Sequence, residues 1–409
     1  MLIIGFLHRL VRAGRLRIID ASGVVRTFGP GGGPTVTVRL HSHRLPYRLL
    51  LSPFLVAGEA YMAGTLTLEE GTLREFLDLC TRNMAALERH PLQRVLQPMR
   101  RPLRRRLRHN PKRRARANVA HHYELSTALY DLFLDRDRQY SCAYFMNGNE
   151  SLEEAQANKK RHIAAKLLLE PGMKVLDIGS GWGGLAVDLA RLEDVEVTGI
   201  TLSRQQLDAA REHAKAARLT DKVSFALHDY REERGSYDRI VSVGMLEHVG
   251  TGDYDAFFRT LQRILRPNGV ALVHAIGRMT PPGEADPWLQ KYVFPGGYCP
   301  AVSEVLAAIE RTGLWVTDVE ILRLHYAETL RHWSERFREG RDRARAIYGE
   351  RFCRMWEFYL ALCEMAFRNG PMMVFQIQLA RRRDAVPLTR DYIAEAERRR
   401  ILAMPELAA

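Results

Sequence analysis

The run Lys174-Val175-Leu176-Asp177-Ile178-Gly179-Ser180-Gly181-Trp182-Gly183-Gly184-Leu185 constrains the fold more than any other stretch, because an apolar strand passes directly into a glycine-rich turn and then a helix. Val175, Leu176 and Ile178 predict a buried strand, and Gly179, Gly181 and Gly183 let the backbone approach a ligand with no Cβ in the way. Asp177 falls at the carboxyl end of that strand, where open α/β sheets bind their ligands. The plainer alternative is a structural βα turn, since glycine turns are common. A dinucleotide site would read GxGxxG, with an acidic residue about twenty positions later for the ribose. Here the spacing is GxGxG after Asp177, and the next strand, 195–200, ends in Thr201-Leu202-Ser203 and then Gln206. That pattern fits S-adenosylmethionine better, because the amide of Gln206 carries both donors and an acceptor for the two ribose hydroxyls.

Around this turn, strands are expected at 174–178, 195–200, 223–227, 238–243 and 269–276, alternating with helices at 183–191, 203–218 and 254–265. Such alternation predicts an α/β fold with a doubly wound parallel sheet. The amino-terminal residues read differently. Segments 16–20 and 24–28 flank Ala21-Ser22-Gly23 as a hairpin, 35–40 and 47–51 read as strands, and 53–61 and 72–87 read as helices. This smaller α+β module carries no acid–base constellation. Toward the carboxyl end, Met355, Trp356, Phe358, Tyr359, Leu362, Met365 and Phe367 form an apolar band at helical spacing, read mainly as core and in part as lining for a long apolar ligand. Residues 372–379 read as a last, antiparallel strand. The chain of 409 residues thus divides into an amino-terminal domain, 1–92, a linker, 93–117, and a catalytic domain, 118–409.

The linker is defined by charge. Ten of the seventeen residues in 100–116 are Lys or Arg and none is acidic, which leaves only +3 of the chain's +13 for everything else. Pro102 and Pro111 break any long helix there. A solvated hinge is one reading; attraction to anionic lipid head groups, about 1 kcal/mol per basic residue near the surface, is another. No helix-turn-helix, zinc or RNP pattern accompanies the charge, so lipid is expected and nucleic acid is not. Nothing approaches the roughly 18 apolar residues of a membrane span. The five cysteines are widely spaced with no CxxC, so neither a disulfide framework nor a metal centre is indicated. A cytoplasmic protein, peripherally associated with the membrane's inner face, is expected.

Further blocks exceed what a minimal cofactor fold needs. They are Tyr140-Ser141-Cys142-Ala143-Tyr144, Asp229-Tyr230-Arg231, the run from Tyr237-Asp238-Arg239-Ile240 through Glu247-His248-Val249-Gly250, His274-Ala275-Ile276-Gly277, Lys291-Tyr292-Val293-Phe294-Pro295-Gly296-Gly297, and His325-Tyr326 with Thr329-Leu330. In this order they resemble the cyclopropane-fatty-acyl-phospholipid synthase family over essentially the whole chain. Departures are Ser180 where the family commonly has Cys, Phe145 where Trp is frequent, and Glu124 where Asp is usual.

The resemblance implies a Rossmann-like class I S-adenosylmethionine-dependent methyltransferase with a smaller amino-terminal α+β domain that engages phospholipid. It implies that Tyr140, Ser141, Gly179, Gly181, Thr201, Gln206 and Asp229, beside Asp177, hold S-adenosylmethionine. It implies that Cys142, Glu247, His274, Ile276 and Tyr326 hold a bicarbonate ion used as a base. The implied substrates are unsaturated phospholipid acyl chains, and a homodimer is consistent with the family. A related lipid C-methyltransferase giving a methyl-branched or methylene product, and a non-catalytic lipid-binding protein, are the alternatives. Taken singly, Cys142 reads as a small buried hydrophobe and His274 as a core histidine, whereas a carboxylate such as Glu247 at a strand end is rarely left unpaired.

Overall fold

The structure is a computed structural model that describes residues 7–8, 10–33, 35–84 and 127–403. The basic segment 100–116 and Glu124 lie outside the described residues. Two compact units emerge: Met1–Leu107 with Glu284–Pro295 and Leu330–Pro371, and Arg108–Gly283 with Gly296–Thr329 and Met372–Ala409. Neither is contiguous in sequence.

In the first unit, β1 (Gly14–Ile19), β2 (Val25–Gly31), β3 (Thr35–Leu40) and β4 (Leu66–Glu70) form a sheet in the order β2-β1-β3-β4. β1 and β2 make the expected hairpin, whose turn is tied by Asp20 Oδ1 accepting from the backbone N–H of Ser22 and Val24. Residues 47–51 were expected to be a strand and are instead part of a helix, Leu45–Leu51. Pro46 in its first turn supplies a preset φ, and the leucines that follow are good helix formers, so the apolar run takes the helical option. Helix Leu73–Arg82 starts at a reciprocal Thr72/Glu75 capping box. The apolar band of the carboxyl-terminal third lies on helix Glu350–Asn369, where Trp356, Phe358, Tyr359, Met365 and Phe367 are buried. On the same helix, Glu364 is fully buried and accepts from Arg74 Nε and Nη2 and from Arg368 Nε. A buried carboxylate demands such donors, and these tie residues near position 74 to residues near 364, which explains why the unit is discontinuous.

In the second unit, β5 (Lys174–Ile178), β6 (Glu196–Thr201), β7 (Val223–Leu227), β8 (Tyr237–Val243), β9 (Leu265–Arg278), β10 (Trp315–Leu322) and β11 (Met372–Ala380) form one sheet, ordered β10-β11-β9-β8-β5-β6-β7. The pairs β8–β9, β5–β8, β5–β6 and β6–β7 are parallel, and β11 runs antiparallel to both neighbours, as expected of the last strand. Strand alternation splits the core in two. Leu176, Ile240, Ala271 and Val273 pack with Phe257, Phe258, Leu261 and Ile309 on one face. Val175, Val241 and Leu272 pack with Ile163, Leu167, Leu185 and Ala210 on the other. From β5 the chain winds one way to β6 and β7, and later the other way to β8 and β9. The crevice where the winding reverses lies at the carboxyl ends of β5 and β8.

Helix Leu152–Leu167 covers the second face. Its sequence, rich in Glu, Lys and Arg, reads as a solvated surface, yet Lys159, Lys160, His162 and Lys166 are all buried. Lys160 pairs with Asp137 and Asp188, Lys166 with Asp318 and Glu320, and His162 lies between Glu320 and Glu397 at 2.6 and 2.5 Å. Among the described residues no helix is long and apolar enough to cross a membrane, and no group of three or more His, Cys, Asp or Glu could hold a metal ion.

Candidate active site

A cavity opens in that crevice. Its lining takes Asp177 to Trp182 from β5 and the glycine turn, Ile200 to Leu202 from the end of β6, Gln206 from the following helix, Val243 to Met245 from the end of β8, and 138–141 from the segment before helix Leu152–Leu167. Of the residues expected at the cofactor, Tyr140, Ser141, Asp177, Gly179, Gly181, Thr201 and Gln206 all line it. Asp229 does not, although its neighbours His228, Tyr230 and Arg231 do; its carboxylate accepts from Arg231 Nε and Nη2 at 2.9 and 2.7 Å.

The three glycines have different duties. A Cβ on Gly181 would meet nothing within 4 Å, so its bare face is open. Gly179 has φ +83, and a Cβ there would stand 3.1 Å from Met245 Cγ. On Gly183 it would come within 2.7 Å of the Phe225 ring and 2.9 Å of Ala210 Cβ, so Gly183 serves helix packing and not ligand approach, a correction to the reading of the turn from sequence. The N–H groups of Gly179 and Ser180 both donate to Ile200 O, pinning the turn against β6. Thr201 Oγ1 donates to Gln206 Oε1 at 3.1 Å, which commits that oxygen and leaves the amide nitrogen as a donor.

Asp177 is 1% exposed, and neither carboxylate oxygen has a hydrogen-bond partner among the described residues. Burial pushes it up to about 7, with the nearby Lys159 charge pulling the other way. An orphaned buried carboxylate in a cavity wall is costly unless a ligand supplies donors. His248, also in the wall, is pushed down to about 4 by burial and is neutral near neutrality.

The five residues expected at an ion lie outside that lining, and the structure joins them in two groups, Glu247 with Ile276 and His274 on β9, and Cys142 with the helix that carries Tyr326. Glu247 stands on a single 3-10 turn, Leu246–His248, since β8 itself stops at Val243. Its Oε1 accepts the N–H of Ile276 on β9 at 2.6 Å, while Oε2 is buried with no partner among the described residues. Burial pushes Glu247 up to about 7. His274, two residues before Ile276 on β9 and therefore on the same sheet face, is 2% exposed and pushed down to about 3. Its Nδ1 lies 3.1 Å from Gln376 Nε2 on β11. With that amide donating, Nδ1 accepts and the proton of the neutral ring sits on Nε2. Cys142 is buried and its thiol is pushed up by desolvation, so it acts as no thiolate. The next residue, Ala143, donates its N–H to Thr329 Oγ1 at 3.0 Å, which brings Cys142 to helix His325–Glu339, where Tyr326 stands one turn earlier, 8% exposed.

Sequence reading missed Gln139, Lys159 and Gln376. Gln139 adjoins a recognised block and could have been found there. Lys159 lies in Asn158-Lys159-Lys160-Arg161, which looks solvated, and Gln376 alternates within an apolar strand; neither gives a local signal.

A doubly wound sheet with a glycine turn after β5 and an amide, not a carboxylate, after β6 defines a class I S-adenosylmethionine-dependent methyltransferase. The family model for mycolic acid cyclopropane synthetase matches residues 110–377, and the chain belongs to this family. It is 38% identical over 371 residues to a probable fatty acid methyltransferase of Pseudomonas putida, covering 89% of this chain and 90% of that one. It is 36% identical over 350 residues to the cyclopropane-fatty-acyl-phospholipid synthase of Escherichia coli strain K12, covering 86% and 89%. The mycolic acid cyclopropane synthase CmaA1, solved with SAH and CTAB, superposes with a TM-score of 0.61 at 34% identity over 64% of this chain and 97% of that one. The protein is accordingly an enzyme of the cyclopropane fatty acid synthase family, using S-adenosylmethionine to methylate lipid.

Proposed function

We propose that the enzyme adds a methylene bridge across the cis double bond of an unsaturated phospholipid acyl chain, with a bicarbonate ion beside Glu247 as general base. The observation that carries this reading is the orphaned, buried Glu247 Oε2. A carboxylate that already accepts one N–H, and keeps a second acceptor with no partner among the described residues, suits a small ion that is itself a proton donor and acceptor. Asp177 gives the matching argument for the cavity: its two unpartnered oxygens, beside the open face of Gly181 and the free amide of Gln206, fit a cofactor bearing ammonium and ribose hydroxyls.

S-adenosylmethionine, when bound, supplies an electrophilic methyl group on sulfur. Tyr140, Ser141, Gly179, Gly181, Thr201 and Gln206 would hold it by the cavity wall, with Asp177 facing its charge and Asp229 acting through Arg231. Bicarbonate, when bound, supplies the base that removes one proton from the newly attached carbon. For it, His274 would offer Nε2–H, Glu247 Oε2 would accept, and the backbone of Cys142 and the carbonyl of Ile276, whose N–H is already given to Glu247, would lie beside the ion's hydroxyl. Tyr326 would face developing positive charge with its ring, an attraction of roughly 0.5 to 2 kcal/mol. An alkene is a weak nucleophile, so holding it in line in a dry pocket provides much of the acceleration. On the same reading, residues 1–92 and the basic linker bring the enzyme to an anionic membrane surface from the cytoplasmic side, and the catalytic domain spans 118–409.

The test is expression in a host that lacks ring-containing lipids, with mass spectrometry of the acyl methyl esters. A product heavier by one CH₂ that resists mild hydrogenation supports ring closure. The same mass with ready uptake of hydrogen points to a methylene product, and a saturated branch, two hydrogens heavier still, points to a methyl-branched product.

A further inference from the structure

Three buried ammonium groups project from helix Leu152–Leu167, and two of them are neutralised in the ordinary way: Lys160 by Asp137 and Asp188, Lys166 by Asp318 and Glu320. Lys159 is different. It is 0% exposed, and its Nζ donates to two neutral oxygens, Gln139 Oε1 at 2.7 Å and Ser141 Oγ at 2.9 Å. No carboxylate lies within ion-pair distance among the described residues, and two acceptors for three N–H groups leave donor capacity to spare. A fully buried cation with no anion in contact is expensive.

Its position gives the reason. Gln139 and Ser141 are part of the cavity lining, and Cys142, next in sequence, is one of the residues the proposed function places at the ion. The Lys159 charge is felt by Asp177 on the cavity side and by Cys142 and His274 on the cluster side. Resting on the proposed function above, we propose that Lys159 is a positioning residue and counter-cation: it clamps the 139–141 segment between the two pockets and supplies the positive charge against which an anion is held beside Glu247.

On that reading, an anion at the site needs a nearby cation. Glu247 and a bound bicarbonate bring two negative charges into one dry site, and His274, pushed down to about 3, stays neutral and cannot offset them. Like charges at close range with no cation expel one another or take up a proton, which would leave the site without its base. Burial pushes Lys159 itself down to about 7, so it gains charge stability only where an anion comes near. Asp135 and Asp137 act on it from a distance; Asp135 is pushed up by burial and Asp137 is already paired with Lys160, so neither is a contact anion for Lys159.

The experiment compares the full-length enzyme with Lys159→Gln, which keeps a donor toward Gln139 and Ser141 without the charge, Lys159→Met, which removes both, and Lys159→Arg, which restores charge. Methyl transfer to vesicles of unsaturated phosphatidylethanolamine and phosphatidylglycerol is measured in carbon-dioxide-depleted buffer titrated with sodium bicarbonate. S-adenosylhomocysteine affinity is measured by calorimetry, and melting temperature alongside. The expected result is a half-saturating bicarbonate concentration raised at least about tenfold in Lys159→Gln and Lys159→Met, with S-adenosylhomocysteine affinity within about threefold and partial recovery in Lys159→Arg. Unchanged bicarbonate dependence in a folded Lys159→Gln overturns the inference and leaves the proposed function standing. Equal loss of cofactor affinity and bicarbonate response in both neutral variants assigns Lys159 a merely structural part and also overturns it. Absence of any bicarbonate dependence in the unsubstituted enzyme overturns both readings.

Discussion

The cavity beside Gly179 draws most of its wall from short consecutive runs, Asp177 to Trp182, Ile200 to Leu202 and Val243 to Met245, whereas the residues proposed for the ion stand singly on a 3-10 turn, on β9, in the 138–145 segment and on helix His325–Glu339. The first is largely backbone geometry at a sheet edge, open enough to admit a large polar ligand. The second is side-chain chemistry held in a dry interior, where desolvation moves Glu247 up to about 7 and His274 down to about 3. On the proposed function, cofactor binding and proton removal fall to different sets of residues, and substitutions should separate them.

The largest separation is expected from Glu247→Gln. The amide keeps the shape and can still accept from Ile276 N–H, yet it carries no charge and offers a donor where an acceptor is wanted. Turnover should fall by about 10²- to 10⁴-fold, the range of a lost acid–base contribution. Calorimetry should find S-adenosylhomocysteine affinity nearly intact, and a parallel loss there would break the division into two pockets.

Gly179→Val tests the other side. At φ +83, with Met245 Cγ only 3.1 Å from the position of a Cβ, a branched side chain is strained on the backbone and crowds β8. Cofactor affinity should weaken by roughly 100-fold, corresponding to about 2 to 3 kcal/mol of strain and lost approach. Normal affinity in a folded Gly179→Val would show that the turn is not the cradle.

Gln376→Leu addresses the support behind His274. Removing the amide frees Nδ1 to carry the proton, so Nε2 loses its role as a donor in part of the population. Turnover should drop about tenfold, as when a group that orients a ligating histidine is removed, with cofactor affinity unmoved. Nitrogen NMR of the His274 ring reads the tautomer directly; a ring unchanged from the parent would refute the assignment of Gln376.

This contrast also explains what could be read from sequence. The strands β5 to β8 and the glycine turn are visible because a period of two, a glycine run and a helix start are all local. The hairpin of β1 and β2 is legible for the same reason. Residues 47–51 read as a strand because an apolar run of that length suits either a strand or a helix, and only Pro46 in the first turn distinguishes them. Glu247, His274 and Tyr326 could be named only through resemblance, since nothing near any one of them in sequence announces the others. Lys159 was invisible: its charge marks it as a surface residue, and only the tertiary packing of helix Leu152–Leu167 buries it.

The smallest effect is a protonic one, and it links the two pockets. Asp177 and Glu247 are both pushed up to about 7, above the 3.8 and 4.5 of free carboxyls. In the ligand-free protein each therefore holds a proton through the range between its free and folded values that the unfolded chain has lost. The folded state binds more protons there, so stability is greatest toward pH 4 to 5 for these two groups and declines as pH rises through 7. A cofactor carrying positive charge beside Asp177 favours its ionised form and should reverse part of that. At pH 7, calorimetry in two buffers of different ionisation enthalpy should show about half a proton released per S-adenosylmethionine bound. Asp177→Asn should abolish the release and weaken binding severalfold, whereas Glu247→Gln should leave the release in place. If instead the release vanishes with Glu247→Gln and persists with Asp177→Asn, the cofactor's charge is felt chiefly in the ion cluster, and the two pockets are one electrostatic unit joined through Lys159.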